Sequence, residues 1–571
     1  MKTIHTDVLV IGAGGAGARA AIEAAKSDGK VRVLVLNQGP VGKSGLTSMA
    51  NGGMQWVSHP EDSPRYLFED IIRVGAYLNE QNLVERLTEE APARAAELIE
   101  WGAKVIPLRG SGATAEVSPS GPSFPRGYYI PGVTYMAALR NRLSAEANAI
   151  VLEDAIATKL LLEGRRVVGA AVLNIRSGES FVVSAKAVVL AAGGLGEIYP
   201  HSTNAPFGMH GHAAGMGYAL AYHAGAELID MEMVQFTGNQ LWPPWLLGNP
   251  MLLSSMCGGK YVNGTGKEFL RLPQPRDAIQ RLAYKEIQEG RGTEHGGVYI
   301  DLTRSPLSSV EIEEQLKHSL AAEVAKERWR LIKEMSAGTP DPKTWRIEFT
   351  PGGAHFFMGG VRINEQCETS LEGLFAAGEV SGGVHGANRM GGCALTEIIV
   401  FGKRAGENAA EFAKGSDRIE PGASQGEAEE ERLSAFLGGG RLSPRTIAEK
   451  IAALMAAHVG VARTEGDLAI ALSGLRQLRS EELADLGAPR GRRFNLGWVE
   501  AIQVPYMLDV AEMIATSAML RSESRGAHYR EDYPDTEAEW LRHTRIRKRD
   551  GAMTIDTVPV TVTTHQPGGG K

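Results

Sequence analysis

Apolar runs that end in glycines recur along the chain, and they predict strands that lead into tight turns. The stretch DVLVIGAGGAGARAAIEAA (residues 7–25) joins such a run to a glycine turn and an alanine-rich segment, which indicates a strand, a turn and a helix. The run VRVLVLN (31–37) follows and predicts the second strand. This order is typical of a parallel sheet covered by helices.

Two later segments repeat the pattern. Residues 151–194 predict antiparallel strands that return into the parallel sheet at a glycine pair, Gly193 and Gly194. The segment GLFAAGE (373–379) is again a strand followed by glycine. The pattern therefore predicts an α/β fold in which three glycine sites converge on one extended cofactor.

The pattern changes in the middle of the chain. Tryptophan, proline and asparagine enter at about residue 236, and a charged helical stretch covers 308–336. We interpret residues 236–350 as an inserted domain. Charged segments with helical periodicity follow after about residue 415, notably at 426–436 and 446–486.

Composition narrows the class of protein. The 571 residues are 43% hydrophobic and 22% charged, which predicts an ordinary globular protein of several domains. A net charge of −7 provides no basic field and argues against nucleic acid as a partner. No apolar run reaches the ~18 residues that span a bilayer, and the start is interpreted as a strand, not a signal peptide.

Cysteine usage bears on metals and compartment. Cys257, Cys367 and Cys393 are far apart and show no CxxC spacing, so a disulfide framework, a zinc site or an iron–sulfur site built by these cysteines alone is excluded. A reducing, cytoplasmic compartment fits. His210 and His212 have metal-like spacing but no evident third ligand, so we predict no metal site.

Two glycine motifs carry candidate chemistry. Gly12, Gly14 and Gly17 form GxGxxG between a strand and a helix, the context in which a helix N-terminus receives a pyrophosphate. HGANRMGG (385–392) places an imidazole, a carboxamide and a guanidinium among small residues, and His and Arg are donors suited to an anion. Taken alone, this octapeptide also fits a glycine-rich turn with an incidental salt bridge.

Together these motifs resemble a known family over nearly the whole chain, in order. The chain is similar to the flavoprotein subunits of succinate dehydrogenase and fumarate reductase, and to their relatives L-aspartate oxidase and adenylylsulfate reductase. The motifs that carry the resemblance are GAGGAGARAA near the start, PRDAI (275–279), AHFFMGG (354–360), GLFAAGEVSGGVHGANRMGGCALTEIIVFGKRAGENAA (373–410) and ESRGAHYREDYP (523–534).

The resemblance implies a Rossmann-like FAD-binding domain that is split in sequence, an inserted α+β capping domain and a C-terminal helical domain. The implied ranges are 1–235 and 351–415 for the FAD-binding domain, 236–350 for the capping domain, 416–530 for the helical domain and 531–571 for a C-terminal segment. The residues that this resemblance and the glycine sites place along FAD are Gly12, Ala13, Gly14, Gly15, Ala16, Asn37, Gln38, Lys43, Ser44, Gly45, Gly52, Gly53, Gly193, Gly194, Glu379, Arg389, Ala394 and Leu395.

The resemblance also implies the catalytic residues. Arg389 and His355 match the clamp that holds a substrate carboxylate, and Arg276 matches the arginine that gives a proton to the carbon beside the hydride acceptor. Such a role requires a relay, for which Asp277 is one candidate. Read alone, PRDAI is a helix start with Pro and Asp in the first turn. We interpret His385 as either a loop-shaping residue or a substrate contact, and Cys393 as a packing residue.

The chain departs from the family pattern at three places that bear on function. Leu46 stands where covalent members carry the histidine that bonds the flavin, which predicts non-covalent FAD. QFTGN (235–239) replaces QFHPT, so Thr237 stands where a histidine would hold a second carboxylate, and the Thr-Glu pair of the family has no counterpart. We therefore expect a substrate with one carboxylate or thioester carbonyl and a bulkier remainder, near Trp242 and Trp245.

The leading hypothesis is hydride transfer between FAD and a carbon–carbon bond beside a carboxylate or thioester carbonyl. The alternatives are an adenylylsulfate-reductase-like or L-aspartate-oxidase-like flavoenzyme and a non-catalytic FAD electron-transfer subunit. Because the three cysteines cannot build a cluster, a separate iron–sulfur subunit is the expected electron-transfer partner. We expect a cytoplasmic protein that reaches the inner face of a membrane only through partner subunits.

Overall fold

The computed structural model describes most of the chain. The described residues are 1–27, 29–50, 53–105, 126, 128–200, 202, 213–237, 240–242, 253–254, 257–272, 274, 276–319, 334, 339 and 341–565. The α-helices are α1 (Gly15–Lys26), α2 (Leu46–Met49), α3 (Pro64–Val74), α4 (Gln81–Glu100), α5 (Gly132–Ser144), α6 (Met216–Ala224), α7 (Arg276–Glu286), α8 (Ser309–Ser319), α9 (Cys393–Gly415), α10 (Ala423–Ser434), α11 (Pro444–His458), α12 (Glu465–Gln477) and α13 (Leu496–Leu520).

The strands form one large sheet and several smaller ones. They are β1 (Lys2–Ile11), β2 (Val33–Asn37), β3 (Gly53–Met54), β4 (Tyr128–Tyr129), β5 (Ala149–Glu153), β6 (Ala155–Glu163), β7 (Arg166–Asn174), β8 (Ser180–Leu190), β9 (Leu228–Ile229), β10 (Val234–Thr237), β11 (Gln240–Leu241), β12 (Lys260–Val262), β13 (Glu268–Leu270), β14 (Val298–Asp301), β15 (Arg346–Thr350), β16 (Gly353–Phe357), β17 (Gly360–Arg362), β18 (Leu374–Ala376), β19 (Ser381–Gly382), β20 (Arg542–Arg549) and β21 (Ala552–Pro559).

The large sheet brings the glycine motifs to one edge. Its strand order is β5-β2-β1-β8-β7-β6, and β18 also pairs with β8. The strands β2, β1, β8 and β18 are parallel, with Ile11 opposite both Leu36 and Leu190, and Ala376 opposite Leu190. Because parallel strands end at the same edge, the turns that follow them meet there, as the hydrophobic pattern predicted.

Glycines let helices α1 and α9 pack directly against each other behind this edge. A Cβ at Gly402 would lie 2.7 Å from the Ala16 carbonyl oxygen, and one at Gly406 would lie 2.2 Å from the Ala20 carbonyl oxygen. Close helix contact requires residues without side chains at such points. The N-termini of α1 and α9 are thereby held on the same side of the sheet.

A second hydrophobic cluster lies within residues 253–349, in the region interpreted as inserted, apart from the large core that includes the main sheet. It packs against a five-stranded antiparallel sheet in the order β11-β15-β14-β12-β13. The predicted helical stretch 308–336 begins as α8, and most of its remainder lies outside the described residues.

The C-terminal half of the structure differs in two ways from the elements that the hydrophobic pattern predicts. The predicted helical stretch 446–486 divides into α11 and α12, because the Thr464 side chain accepts a hydrogen bond from the Asp467 N–H and starts a new helix. Strands β20 and β21 form a hairpin, and β20 pairs with β9. Within the described residues, no helix is both long enough and apolar enough to cross a bilayer, although α13 runs for 25 residues.

Candidate active site

The three glycines of the first turn have different reasons to lack a side chain. Gly12 has φ +98°, and a Cβ there would lie 2.3 Å from the Ala191 carbonyl oxygen; one at Gly17 would lie 1.8 Å from the Gly12 carbonyl oxygen. At Gly14 the nearest protein atom would be 3.8 Å away. The fold itself thus demands Gly12 and Gly17, whereas the bare backbone at Gly14 leaves space for a ligand. Helix α1 has no side-chain cap, which suits a pyrophosphate.

The predicted ribose and flavin-loop residues lie beside this turn. The Asn37 carboxamide accepts from the Ala13 N–H at 2.9 Å and donates to Ser44 Oγ at 3.0 Å, so it ties the turn to the next loop. Gly45 has φ +80° with no atom within 4 Å of its missing side chain. Gln38 is half-buried, Lys43 is exposed, and Gly52 lies outside the described residues.

A second set of predicted cofactor residues lies near the start of α9. A Cβ at Gly194 would lie 2.5 Å from the Glu379 carboxyl carbon, so this carboxyl group packs on the glycine backbone. Glu379 accepts from the Phe357 N–H at 3.2 Å, and burial raises its pKa to about 7. Helix α9 starts after Gly392 without a side-chain cap, which leaves its N–H groups, including those near Ala394 and Leu395, for a ligand. Gly193 borders open space, and Gly53 lies near Gly392.

A β-bulge places His355. In the β10–β16 pair, Gln235 is opposite Phe356 and Phe236 is opposite Ala354, so His355 is the extra residue of the bulge. Bulges re-aim side chains and are common beside active sites. His355 therefore leaves the strand alternation and lies near Arg276 and Arg389, whose charges act on its pKa.

Two arginines converge on one carboxamide. Arg389 Nη2 donates to Gln235 Oε1 at 3.0 Å, and Arg276 Nη1 lies 3.5 Å from the same oxygen. Arg276 is the first residue of α7, so it both opens a helix and reaches the site. The Arg389 guanidinium also lies 4.9 Å from the centre of the Phe356 ring. Among the described residues, neither guanidinium has a carboxylate partner.

The electrostatics of this group are those of unpaired cations. Burial, with the neighbouring Arg389, lowers the pKa of Arg276 to about 9, and burial lowers the pKa of Arg389 to about 10. Burial and the two guanidiniums hold the pKa of His355 well below its ordinary value, so its imidazole is neutral. The site is ready to receive an anion.

Sequence reasoning missed the residues behind the arginines. Gln235 Nε2 donates to Asn388 Oδ1 at 2.7 Å, and Asn388 Nδ2 donates to Asp277 Oδ1 at 2.8 Å. Burial raises the pKa of Asp277, although Arg281 lies 3.2 Å from its other oxygen. Gln235 and Asn388 lie within the motifs QFTGN and HGANRMGG. No local sequence pattern, however, reveals which side chains their amides contact.

Several buried polar atoms in this region have no hydrogen-bond partner within the described part of the chain. They are Thr237 Oγ1, Gln280 Nε2, Arg276 Nε and Arg389 Nε. Thr237 lies two residues after Gln235 on β10, hence on the same face, and Gln280 lies one turn after Arg276 on α7. An unsatisfied buried polar group costs free energy, so these atoms suit a polar ligand.

The remaining candidates lie at the edge of the site or outside it. His385 packs edge-on against Phe356 at 5.1 Å, and both of its ring nitrogens lack a partner in the described structure; burial, with Arg389 nearby, lowers its pKa to about 3. Burial raises the pKa of Cys393 to about 12, which fits a packing role. The described residues contain no group of three or more metal-ligating side chains, and His210 and His212 fall outside them.

Similarity to known flavoproteins defines the protein as an FAD-dependent oxidoreductase acting on CH–CH bonds. Residues 7–395 match the FAD binding domain family and residues 448–570 match the fumarate reductase flavoprotein C-term family. The chain belongs to this family of flavoproteins and is a fumarate reductase and succinate dehydrogenase-like flavoprotein subunit, so the resemblance seen in the motifs is confirmed, as is FAD as the cofactor.

Two relatives show the extent of the similarity. The chain is 38% identical over 557 residues to a subunit of the fumarate reductase (CoM/CoB) of Methanothermobacter marburgensis, covering 95% of this chain and 97% of that one. It is 30% identical to the fumarate reductase flavoprotein subunit of Escherichia coli, covering 99% of this chain and 96% of that one.

Solved structures share the fold. The E. coli quinol fumarate reductase flavoprotein has a TM-score of 0.88 at 28% identity and covers 100% of this chain and 99% of its own. Adenylylsulfate reductase from Archaeoglobus fulgidus has a TM-score of 0.81 at 19% identity, with 99% and 97% covered, a likeness that concerns the fold alone.

Proposed function

We propose that the chain reduces a carbon–carbon double bond beside a carboxylate, with fumarate as the first substrate to test. The observation that carries this proposal is the pair of guanidiniums, of half-buried Arg276 and buried Arg389, that share one neutral acceptor. FAD, when bound, supplies the hydride to one carbon of the double bond. Arg389 and neutral His355 hold the substrate carboxylate, where negative charge grows as the hydride arrives.

Arg276 completes the reaction by protonating the neighbouring carbon. An arginine is ordinarily a very weak acid, but the surroundings of Arg276 bring its pKa to about 9. Product formation therefore requires one hydride and one proton, and Arg276 regains its proton from solvent. The pair formed with Gln235 keeps its guanidinium pointed into the clamp.

The protein groups that bind the end of the substrate away from Arg389 and His355 determine the substrate class. The expectation of a single-carboxylate substrate rested on the absence of a donor where Thr237 replaces histidine. The Thr237 hydroxyl and the Gln280 amide are buried donors without partners in the described residues, and two neutral donors suit a second carboxylate. We therefore propose a small dicarboxylate of the fumarate type, with thioesters and substituted enoates as the competing class.

An anaerobic assay with reduced viologen tests the reaction. We expect saturable reduction of fumarate and slower reduction of crotonate, an enoyl thioester and adenylylsulfate. Faster turnover of the thioester than of fumarate would restore the single-carboxylate proposal. Failure to reduce any of these acceptors, with flavin fully loaded, would favour the electron-transfer role.

We also propose that FAD is held without a covalent bond and that electrons come from a separate iron–sulfur subunit. Leu46, the first residue of α2, has no ring nitrogen to bond the flavin. All three cysteines are buried and free. Acid precipitation should release yellow flavin into the supernatant, and purification from the native host should retain an iron-containing subunit. Flavin in the pellet, or a solitary protein that turns over fully with oxygen, would contradict the respective proposal.

A further inference from the structure

Gln235 contacts both Arg276 and Arg389 and is completely buried. Its Oε1 accepts from Arg389 at 3.0 Å and faces Arg276 at 3.5 Å. Two cations this close repel each other, and each desolvated guanidinium requires an acceptor. The single amide oxygen supplies one to both without neutralising either.

The orientation of the amide is fixed by hydrogen bonds on its other side. Gln235 Nε2 donates to Asn388 Oδ1 at 2.7 Å and to the Arg389 carbonyl oxygen at 2.9 Å. Asn388 is oriented in turn, because its Nδ2 donates at 2.8 Å to Asp277, whose carboxylate oxygen accepts. The oxygen of Gln235 must therefore face the arginines.

The segment that contains Gln235 also carries a carboxylate, Glu232, which neutralises a different arginine. Glu232, three residues before Gln235, accepts from Arg521 Nε at 2.6 Å in a fully paired, buried site. A carboxylate at residue 235 would form the same kind of ion pair with Arg389 and Arg276 and would occupy their charge permanently.

We propose that Gln235 is a positioning residue whose neutral carboxamide holds Arg276 and Arg389 together while leaving their positive charge for the substrate carboxylate. This inference rests on the proposed function, because the proposed function identifies the anion as a substrate carboxylate. The charge of residue 235, as distinct from its size, then sets anion affinity.

Two substitutions separate charge from packing. Gln235→Glu keeps the shape and adds a charge, whereas Gln235→Met removes both hydrogen-bonding groups and adds none. Gln81→Glu is the matched control: Gln81 is equally buried, and its amide binds the backbone of residues 563–565 instead. Dissociation constants for acetate, malonate and fumarate are measured from the flavin absorbance of the oxidised, FAD-loaded protein, which requires no turnover.

We expect Gln235→Glu to weaken binding of all three anions by at least ~30-fold, because it cancels charge-assisted hydrogen bonds, and Gln235→Met to weaken it only ~3–10-fold. Gln81→Glu should stay within about twofold, since it touches no part of the clamp. For Gln235→Met, KM should rise and kcat should fall as well, because Arg276 loses the acceptor that orients its guanidinium. If wild type and Gln235→Glu bind the anions with equal affinity, the inference is overturned. It is also overturned if Gln235→Glu and Gln235→Met lose equal anion affinity and that loss parallels the fall in their melting temperatures.

The outcomes also separate this inference from the proposed function. If the wild type binds acetate or malonate but reduces no enoate, the proposed reaction fails and the affinity order still decides the role of Gln235. If it binds none of the three anions, both fail. Should Gln235→Glu lose its flavin, an unchanged anion affinity in Gln235→Met overturns the inference.

Discussion

Glu232 and Gln235, three residues apart on one segment of chain, each contact a different group of arginines. At one end, Glu232 meets Arg521; at the other, Gln235 meets Arg389 and Arg276. Arg521 and Arg389 are buried, and Arg276 is half-buried. The groups differ in whether a carboxylate pairs directly with the arginines.

The first group is fully neutralised. Arg521 donates to Glu232 at 2.6 Å, to Glu523 at 3.0 Å and to two backbone carbonyl oxygens, and Arg525 binds both oxygens of Glu523. His543 joins through Asp230 and Glu80. These ion pairs connect α13, the ESRGAHYREDYP loop, β20 and the segment before β10.

In the second group, no carboxylate of the described residues forms an ion pair with Arg276 or Arg389. Burying an unpaired charge is expensive, and the lowered pKa values of Arg276 and Arg389 reflect that cost. In this comparison, the arginines that pair with carboxylates connect elements of the fold, whereas Arg276 and Arg389 lie where we propose that an anion binds. Four predictions test this contrast.

The largest effect is expected from Arg276→Ala. Loss of positioned proton transfer typically lowers turnover by a factor of ~10² to ~10⁴, while the flavin spectrum should stay intact. In the wild type, reduction should also decline as pH rises through about 9, because deprotonated Arg276 cannot supply a proton. Arg304→Ala, at an exposed arginine that pairs with buried Asp301, serves as the control. Near-normal turnover of Arg276→Ala would leave this arginine only its role as helix starter.

Arg521→Met should act on stability and not on chemistry. Removing one partner of a buried charge network costs about 3–5 kcal/mol, because Glu232 is left buried without its cation while Glu523 keeps only Arg525. Urea unfolding should show this loss, and fumarate affinity of the folded fraction should be unchanged. Arg441→Met, which breaks an exposed pair with Asp485, should cost less than about 1 kcal/mol. Equal effects of the two substitutions would contradict the contrast.

His543 should make the paired group sensitive to pH. Burial opposes its charge, but Asp230 and Glu80 raise its pKa to about 9, above the unfolded value of 6.5. Its contribution, up to about 3 kcal/mol, is therefore complete below pH 6.5 and lost as pH rises through 9. The difference in unfolding free energy between wild type and His543→Gln should shrink from pH 6 to pH 9.5. A constant difference would show that His543 packs without charge.

The local elements of this fold can be predicted from the sequence. Strand, turn and helix over residues 7–25 follow from apolar runs and glycines, and the family resemblance selected Arg276, His355 and Arg389, which the structure brings together. Gln235 was not selected because its role depends on partners 41 and 154 residues away. The bulge at His355 also arises between two strands and leaves no local signal.

The C-terminal hairpin was missed for a related reason. Strand β20 reads RHTRIRKR, with polar residues at nearly every position, so its alternation carries no hydrophobic signal. It forms a strand because β9 and β21 pair with it and because Asp230, Glu227 and Asp556 neutralise its basic side chains. Tertiary ion pairs, not local preference, determine this element.

The smallest effect, and the finest test of the unmatched group, is expected from Thr237→Val. The substitution keeps the shape of a fully buried side chain and removes the one donor that β10 presents beyond Gln235. If the Thr237 hydroxyl binds the second carboxylate, KM for fumarate should rise about tenfold, because a hydrogen bond to a charged group contributes roughly 1.5 kcal/mol. KM for crotonate, which has no second carboxylate, should stay unchanged. Thr158→Val is the control, since Thr158 is equally buried and its hydroxyl lies 3.5 Å from the Ala171 carbonyl oxygen. A fumarate KM equal to that of wild type would show that the Thr237 hydroxyl does not bind the second carboxylate and would leave the Gln280 amide as its candidate donor.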